Sequence, residues 1–500
     1  MSEPASEVVP RGVDLRLATL AAGTWIGALL GLHEKPWLVV VLGVVAIAGF
    51  SLVPRDIGLA MTVSVGLLGC LATFLLASQD LNDWRQVAGS LEGNGPEVTV
   101  VGRIVSDPAA SSQSAGWRFT VEAESRVRLY VAVGSGNLGG VSLVRGSLLQ
   151  VRGKLDTEGS MPPPALGFLR ASELKELEAA PPWQRFVANL KAALSQISEA
   201  RAGSAGPLIG GMAIGDDRGL NKESKEAMLT TSLTHLTAVS GSHIAISLSV
   251  ISVLLPGRRR FKAVATWCFL AVIVAVVGPQ PAVLRAVGMG GLAAWGLILG
   301  RGGQPLGLLF VVTSVTLLID PWSAVSLGFA LSTLATAGIL TAGRGLTGWL
   351  KQAMEGWFQG RLEAVRPIVA SIGEAVAIAV VAQAATLPVL ALANPWLPTW
   401  GVVANLLVAP IVTPLTLLGL AAAATCLWWP AAASLCAYLA APLAGYMEAT
   451  ALRVAGWPLA RLPWLNGVPG MLLAAVLTTV LALAVLTGMK EISRWRRIGQ

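Results

Sequence analysis

The chain has 500 residues, of which 54% are hydrophobic and only 13% charged, with a mean hydropathy of +0.67. Soluble domains carry about 25% charged residues. A water-soluble globular protein is therefore excluded, and the recurrence of apolar stretches about 20 residues long, the length that spans hydrocarbon, indicates a polytopic α-helical membrane protein. Lys and Arg number 36 against 28 Asp and Glu, a surplus that basic cytoplasmic loops explain without invoking nucleic acid.

The N-terminus carries mixed charges and no evident cleavage site, so the first apolar run is expected to remain as a membrane anchor. Apolar segments at 16–32, 37–54 and 57–78 are separated by the polar breaks "HEKP" and "PRD". His33, in the first break, reads as a solvated loop residue. Cys70, Cys268, Cys426 and Cys436 lie in apolar runs with no CxxC pair, and read as buried apolar side chains with no disulfide or zinc role.

Between about 80 and 180 the apolar blocks give way to period-two alternation, in "EVTVVGRIVSD", "WRFTVEAESRVRLYVAV" and "SLLQVRGKLDT". This pattern predicts five or six β-strands in a small barrel-like or sandwich domain, of which the OB-fold is one form. After the proline-rich stretch "MPPPALGFLR", Trp183, Phe186, Val187, Leu190 and Leu194 fall at helical spacing. They predict an amphipathic helix over 181–202, lying on the membrane surface or packed conventionally.

From 203 onward the chain is apolar again. Candidate spans fall at 236–256, 261–278, 282–300, 304–319, 323–341, 368–393, 399–427, 431–449 and 468–489, making about twelve with the first three. Basic clusters at 257–262, at Arg344, Lys351, Arg361 and Arg366, and at 490–497 are expected to face the cytoplasm. Twelve spans with both termini inside satisfy all three and place the β-domain outside. The predicted organisation is N-terminal helices (1–79), an extracytoplasmic OB-like β-domain (80–180), a linker helix (181–202), a transmembrane channel domain (203–490) and a basic tail (491–500).

Ionisable and polar groups within the apolar segments raise functional questions. "THLTAVSGSHIAI" (234–246) holds His235 and His243, about 80° apart on an ideal helix, with Ser240 and Gly241 between them. Three readings are open: part of a metal site, a Ser240–His243 nucleophile pair, or a helix break lining a watery passage. "GPQPAVLRAVGMGG" places Arg285 one turn past two prolines. "DPWSAVSLGFALSTLATAGIL" puts Asp320 at a helix start, where a carboxylate suits the dipole. Gln383 with Pro388, and Asn405 with Pro410 and Pro414, mark two further spans. Together these predict discontinuous helices around a polar path.

"GDDRGL…KEAMLTTSLTHLTAVSGSHIAI" (215–246) resembles the signature of the ComEC-type competence proteins, polytopic channels for single-stranded DNA. Gly215, Asp216 and Arg218 match its first part, and His235, Ala238, Val239, Ser240, Gly241 and His243 its second. "LRAVGM", "DPWSAVSLGFALSTLA", "QAATLP" and "ANLLVAP" resemble later blocks in the same order. The resemblance implies transport of single-stranded DNA across the cytoplasmic membrane, with a DNA receptor, a helicase or translocase and a separate nuclease as partners. Many relatives carry a metallo-β-lactamase-like domain, whose chemistry needs a His/Asp metal cluster. No histidine follows His243 here, so no enzyme activity, metal or other cofactor is expected. On this reading Arg285 contacts phosphate, and His235, Ser240 and His243 shape or gate the path. Residues 80–202 hold 13 Lys/Arg and 13 Asp/Glu. This balance gives no general support for phosphate binding, although Arg126, Arg128, Arg152 and Lys154 with Trp117, Phe119 and Tyr130 are a candidate local DNA patch. An intramembrane Ser/His hydrolase and a small-molecule exporter are the alternative functions.

Overall fold

A computed structural model describes residues 15–42, 57–92, 97–110, 116–138, 140–157, 163–255, 259–299, 304–343, 345–350 and 366–498. From the N-terminus, helices α1 (Leu15–Leu32) and α2 (Ile57–Glu92) precede strands β1 (Glu97–Ile104), β2 (Ala109–Ala110), β3 (Gly116–Glu122), β4 (Arg128–Gly134), β5 (Leu148–Asp156) and β6 (Ala165–Glu178). Helices α3 (Pro182–Ala202), α4 (Gly206–Ile214), α5 (Lys222–Thr230), α6 (Gly241–Leu254), α7 (Arg259–Val277) and α8 (Pro281–Ile298) follow. The remainder comprises α9 (Pro305–Ile319), α10 (Leu327–Gly338), α11 (Arg366–Ala393), α12 (Gly401–Thr425), α13 (Pro430–Ala455) and α14 (Gly467–Ile498), with the short strands β7 (Trp396–Pro398) and β8 (Arg461–Pro463) paired antiparallel.

Among the described residues eight helical segments are long and apolar enough to cross a membrane: Met61–Glu92, Thr234–Val253, Arg259–Val277, Pro281–Ile298, Ala370–Ala393, Gly401–Thr425, Pro430–Ala455 and Gly467–Val485. The expected twelve are not reached. Arg16–Leu32, Pro305–Ile319 and Leu327–Gly343 are apolar but shorter. At 1.5 Å per residue, the 15 residues of α9 fall short of a hydrocarbon core of about 30 Å. Most of the expected 37–54 span lies outside the described residues, as do Arg344, Lys351, Arg361 and the start of the 257–262 cluster.

The chain divides into two compact units, one of Met1–Leu81 with Gly300–Val325 and one of Asn82–Leu299 with Ser326–Gln500. In the first, Gly23, Gly27 and Gly31 recur every four residues and so share one face of α1. A Cβ at Gly27 would strike the Cys70 carbonyl of α2, and one at Gly31 would lie 2.6 Å from the Phe74 carbonyl. Lipid supplies no hydrophobic drive between helices, so bare backbone that permits close packing takes its place. Trp25 Nε1 donates to the Ala324 carbonyl at 3.2 Å.

The second unit contains the β-domain. Its six strands lie in the order β1-β5-β6-β4-β3-β2, with β4 and β6 parallel, and β1 pairs additionally with β3 at Arg103↔Glu122 and Ile104↔Val121. Burial alternates without exception along β1 and β4, as the period-two reading requires. Val100, Val121, Leu129, Val131, Leu149, Val151 and Leu169 fill the core. Two boundaries differ from the sequence reading. β6, the longest strand, occupies what reads as a proline-rich exit. Helix α2 runs on past 79, because Trp84, Val87, Ala88 and Leu91 keep helical spacing and close over the sheet core. In α3 the two readings divide along the helix. Leu190 and Leu194 pack against Ala213, Ala422 and Ala433 of the bundle, whereas Trp183 and Phe186 are exposed.

Helices α11, α12 and α13 run unbroken through Pro388, through Pro410 and Pro414, and through Pro442. The expectation of many discontinuous helices is therefore corrected: these prolines each remove one donor within a supported helix. Among the described residues, an interruption in a polar stretch lies between α5 and α6, at 231–240.

The Gly27 contact is tested by Gly27→Ala, which is expected to cost about 1–3 kcal/mol through overpacking. Gly89→Ala, at a helical site with nothing within 4 Å, is expected to stabilise by about 0.5–1 kcal/mol. Unfolding of both variants in detergent, followed by circular dichroism, measures the contrast.

Candidate functional site

Helix α4 is buried along all nine of its residues and ends on Gly215, whose φ of 71° is the left-handed cap that glycine adopts without cost. The cap turns the following residues back toward the β-domain. Arg218 grips Asp216 through two bonds, Nε to Oδ1 at 2.6 Å and Nη2 to Oδ2 at 2.7 Å, while its Nη1 donates to the Pro108 carbonyl at 2.7 Å. Beside it Lys191 of α3, 1% exposed, donates to Asp107 Oδ2 at 2.6 Å. The Asp107–Pro108 turn is thus held by two cations from outside the sheet. Burial opposes ionisation of Asp216, but the Arg218 hydrogen bonds and charge outweigh it and hold the carboxyl below the usual carboxylate range. The Asp216 hydrogen bond, acting against burial, raises the Arg218 guanidinium above its ordinary value. The neighbouring Asp217 accepts from Thr237 Oγ1 at 3.3 Å, which ties this loop to the histidine stretch.

That stretch is not one helix. A positive φ of 56° at Ser232 ends the turn after α5, a short 3-10 turn spans Thr234–Leu236, and α6 begins at Gly241. The ideal-helix relation between His235 and His243 therefore does not hold. His235 is exposed, and its Nδ1–H donates to the Ser232 carbonyl at 2.9 Å. His243 is 2% exposed, and its Nδ1 accepts from the backbone N–H of Ser240 at 3.2 Å, occupying the place where glutamate closes a capping box. With Nδ1 accepting, the neutral ring carries its proton on Nε2, and that atom is buried without a hydrogen-bond partner. The Ser240 hydroxyl pairs with Ser242 at 2.6 Å, and it is the Ser240 backbone N–H, not the hydroxyl, that meets the His243 ring.

Arg285, 7% exposed in α8, reaches the start of α6: a Cβ at Gly241 would lie 3.1 Å from its Nη2. Its Nε donates to Ser332 Oγ and its Nη1 to Thr336 Oγ1, both at 2.8 Å, and Nη1 lies 4.0 Å from Met289 Sδ. Among the described residues it has no carboxylate partner. A second polar group gathers at the other end of the break. A Cβ at Gly401 would lie 3.0 Å from the Ser232 hydroxyl and 3.1 Å from Gln383 Oε1, and Asn405 Nδ2 donates to the Gly401 carbonyl at 2.9 Å. Gln383 and Asn405 thus join the His235 end, and Arg285 joins the His243 end.

Asp320 is not at a helix start. It caps the C-terminal end of α9 and accepts from Ser323 Oγ at 2.9 Å, within the other unit; α10 begins later, on Ser326, whose side chain accepts from Phe329 N–H. In the β-domain Phe119 is 4% exposed and belongs to the core, so it offers no stacking face. Arg128 pairs with Glu122 and Arg152 with Glu97 on the outer face, where Tyr130 packs on Phe168 with ring centroids 5.7 Å apart. Lys154 is exposed, and Arg126 sits in a turn with φ 60°. Two site groups escape the sequence reading although each leaves a signal. Lys191 interrupts the apolar stripe between Val187 and Leu194. Glu448 interrupts the apolar run of α13, is buried, and accepts from Ser224 Oγ at 2.5 Å and Ser204 Oγ at 2.9 Å. Among the described residues no three His, Cys, Asp or Glu side chains are grouped to hold a metal ion.

A family model described as "Competence protein" matches residues 212–490, more than half of the chain, and so takes in Asp216, Arg218, the histidine stretch, Arg285, Gln383 and Asn405. The chain belongs to the competence protein family. It is also similar to the uncharacterized protein YcaI of Escherichia coli (strain K12), with 26% identity over 221 residues, 42% of this chain. The chain covers 28% of that relative's length. No solved structure matches. The competence-family region begins inside α4, so the family match includes the Asp216–Arg218 side of the clamp but not the Asp107–Pro108 turn it grips.

The clamp has a pH signature. Asp216 titrates below the usual carboxylate range when folded, so its contribution is present above that range and is lost as pH falls through the folded value. The thermal stability of the wild type is expected to fall on acidification below about pH 4, and Asp216→Asn to flatten this dependence. Arg218→Ala is expected to cost about 2 kcal/mol or more, since it strands a buried carboxylate; melting curves across that pH range check both.

Proposed function

We propose that the chain conducts single-stranded DNA across the cytoplasmic membrane during DNA uptake. Family membership supports a role in DNA uptake at a general level. The observation that carries the reading to a translocation path is Arg285. A cation within a membrane-spanning helix costs about 3 kcal/mol on insertion scales and is kept where it serves a path or a partner. Here it has hydroxyl and thioether neighbours but no carboxylate among the described residues, and Nη2 faces the start of α6. Its planar fork suits a phosphate oxygen pair.

In this reading the break at 231–240 lines the path, with His243 and Arg285 at one end and His235, Gln383 and Asn405 at the other. The β-domain lies over the entrance on the outer side. The pairing of β1 with both β5 and β3 supports an OB-like form for it. Both termini lie in the cytoplasm. The chain acts by transport and not by hydrolysis: the pairing of the Ser240 hydroxyl with Ser242 gives no support to a Ser–His nucleophile. A DNA receptor, a helicase or translocase and a separate nuclease complete the system.

Transformation frequency in a deletion strain, complemented with wild type, Arg285→Lys or Arg285→Ala at matched membrane levels, tests the reading. Arg285→Ala is expected to lower the frequency about tenfold or more, as loss of one charge-assisted contact implies, and Arg285→Lys to fall between. Full transformation in the deletion strain sinks the reading; wild-type frequency in Arg285→Ala removes Arg285 from the path.

A further inference from the structure

The clamp that joins the β-domain to the bundle also floors a cavity of about 470 Å³. Its walls come from the end of the Asp107–Ala110 turn, from Trp117 of β3, from the 143–145 loop, from α3, and from the Asp216–Gly219 motif. The volume falls in the range of small-molecule sites, roughly 300–1,000 Å³. Trp117 and Trp183 line it, and both keep substantial exposure despite their size. Among its cations Lys191 is matched by Asp107 and Arg218 by Asp216. Arg145 has no carboxylate partner among the described residues. It lies over the turn between α7 and α8, where its Nη1 donates to the Val277 carbonyl at 3.5 Å, and Gly278, with φ 99°, leaves the room its guanidinium fills. Gln184 also belongs to this wall, but its Oε1 is buried against Gly146 and is turned away from the open space.

Two indoles and one uncompensated guanidinium around a cavity of this size make a specific chemical demand. The ligand needs a flat π-face and a negative charge beside it. A phosphate alone lacks the face, and an apolar side chain lacks the charge. A nucleotide has both. Resting on the single-stranded DNA reading above, we propose that this cavity is a pocket for one nucleotide of the incoming strand. Trp117 and Trp183 stack on the base, and Arg145 contacts the adjoining phosphate. Stacking is tolerant of sequence because every base has a π-face, which suits a chain that must pass any strand. The pocket places the first grip on DNA at the family's Gly-Asp-Asp-Arg motif, which does not itself supply the free charge. The outer-face arginines Arg128 and Arg152 are already paired with acids.

The test uses the full chain in nanodiscs of zwitterionic lipid, with a fluorescent oligothymidylate followed by anisotropy and tryptophan emission. Binding is expected to quench tryptophan. Trp183→Ala, at an exposed position, is expected to lower affinity about 5–100-fold by loss of one stacking contact, and Trp183→Phe to restore most of it. Arg145→Ala is expected to reduce the slope of log affinity against log salt by about 0.7, the value for one phosphate on a single strand. Excess inorganic phosphate is expected not to displace the oligonucleotide. Wild-type affinity and salt slope in both alanine variants, in a chain that binds the oligonucleotide and restores transformation, overturns the pocket and leaves the transport reading standing. Displacement by phosphate alone, or by added anionic lipid, overturns the nucleotide assignment. Failure of the wild-type chain to bind any single strand overturns both.

Discussion

The grip of Lys191 and Arg218 on the Asp107–Pro108 turn is the constraint on which the arrangement of the second unit depends. These two charge-assisted contacts act beside the Arg145 contact with the α7–α8 turn. Each cation has a carboxylate, Arg218 its neighbour Asp216 and Lys191 the turn's own Asp107, so the contact leaves no uncompensated charge. Lys191 is also fully desolvated, and breaking a buried pair of this kind by removing one partner commonly costs about 3–5 kcal/mol. The glycine cap of α4 makes the geometry possible, because only a left-handed residue at 215 turns the chain sharply enough to return Asp216 and Arg218 to the sheet. The same cap positions Asp217 for Thr237, so one turn organises both the β-domain contact and the start of the histidine stretch.

Below the clamp, polar groups in the bundle are treated in two ways. The Glu448 carboxylate is satisfied by hydroxyls: two serines from separate segments, Ser204 and Ser224, each give it a hydrogen bond. Arg285 is treated differently. Three neighbours satisfy part of its fork, and the remainder faces the bare backbone of Gly241. A guanidinium has five donors, and a partly satisfied one in a low-dielectric setting attracts an anion strongly. The N-terminus of α6 adds backbone donors to the same place. His243 contributes by holding the break open, since its ring satisfies the Ser240 N–H that would otherwise be orphaned.

Residue patterns alone made several of these features readable. Alternation in β1 and β4 follows from the pleat, so burial could be assigned before any strand was paired. Arg285 and the Ser–Gly–Ser–His stretch stood out because ionisable and small polar residues are rare in apolar spans. Other features depend on partners far away in the chain. Phe119 looks like a stacking residue by type, yet lies on the inward face of β3, and only register decides that. Asp320 precedes a helix in sequence but caps the one before it, because the turn at Pro321 belongs to neither. The pocket draws on residues from 107 to 275, a set that no local window contains.

Composition and periodicity by themselves determined the membrane class, the inserted β-domain and the positions of the polar interruptions. These depend on solvent preference and on the repeat of a single strand or helix, and both are local properties. The tertiary structure decided which interruptions meet: Arg285 with Gly241, Ser332 and Thr336; Gln383 and Asn405 with Gly401 near Ser232; Arg218 and Lys191 with the Asp107–Pro108 turn. It also decided that α11 and α12 run on through Pro388, Pro410 and Pro414. Whether a cation finds a carboxylate, a hydroxyl or open space depends on distances between segments, and spacing along one chain carries no record of those.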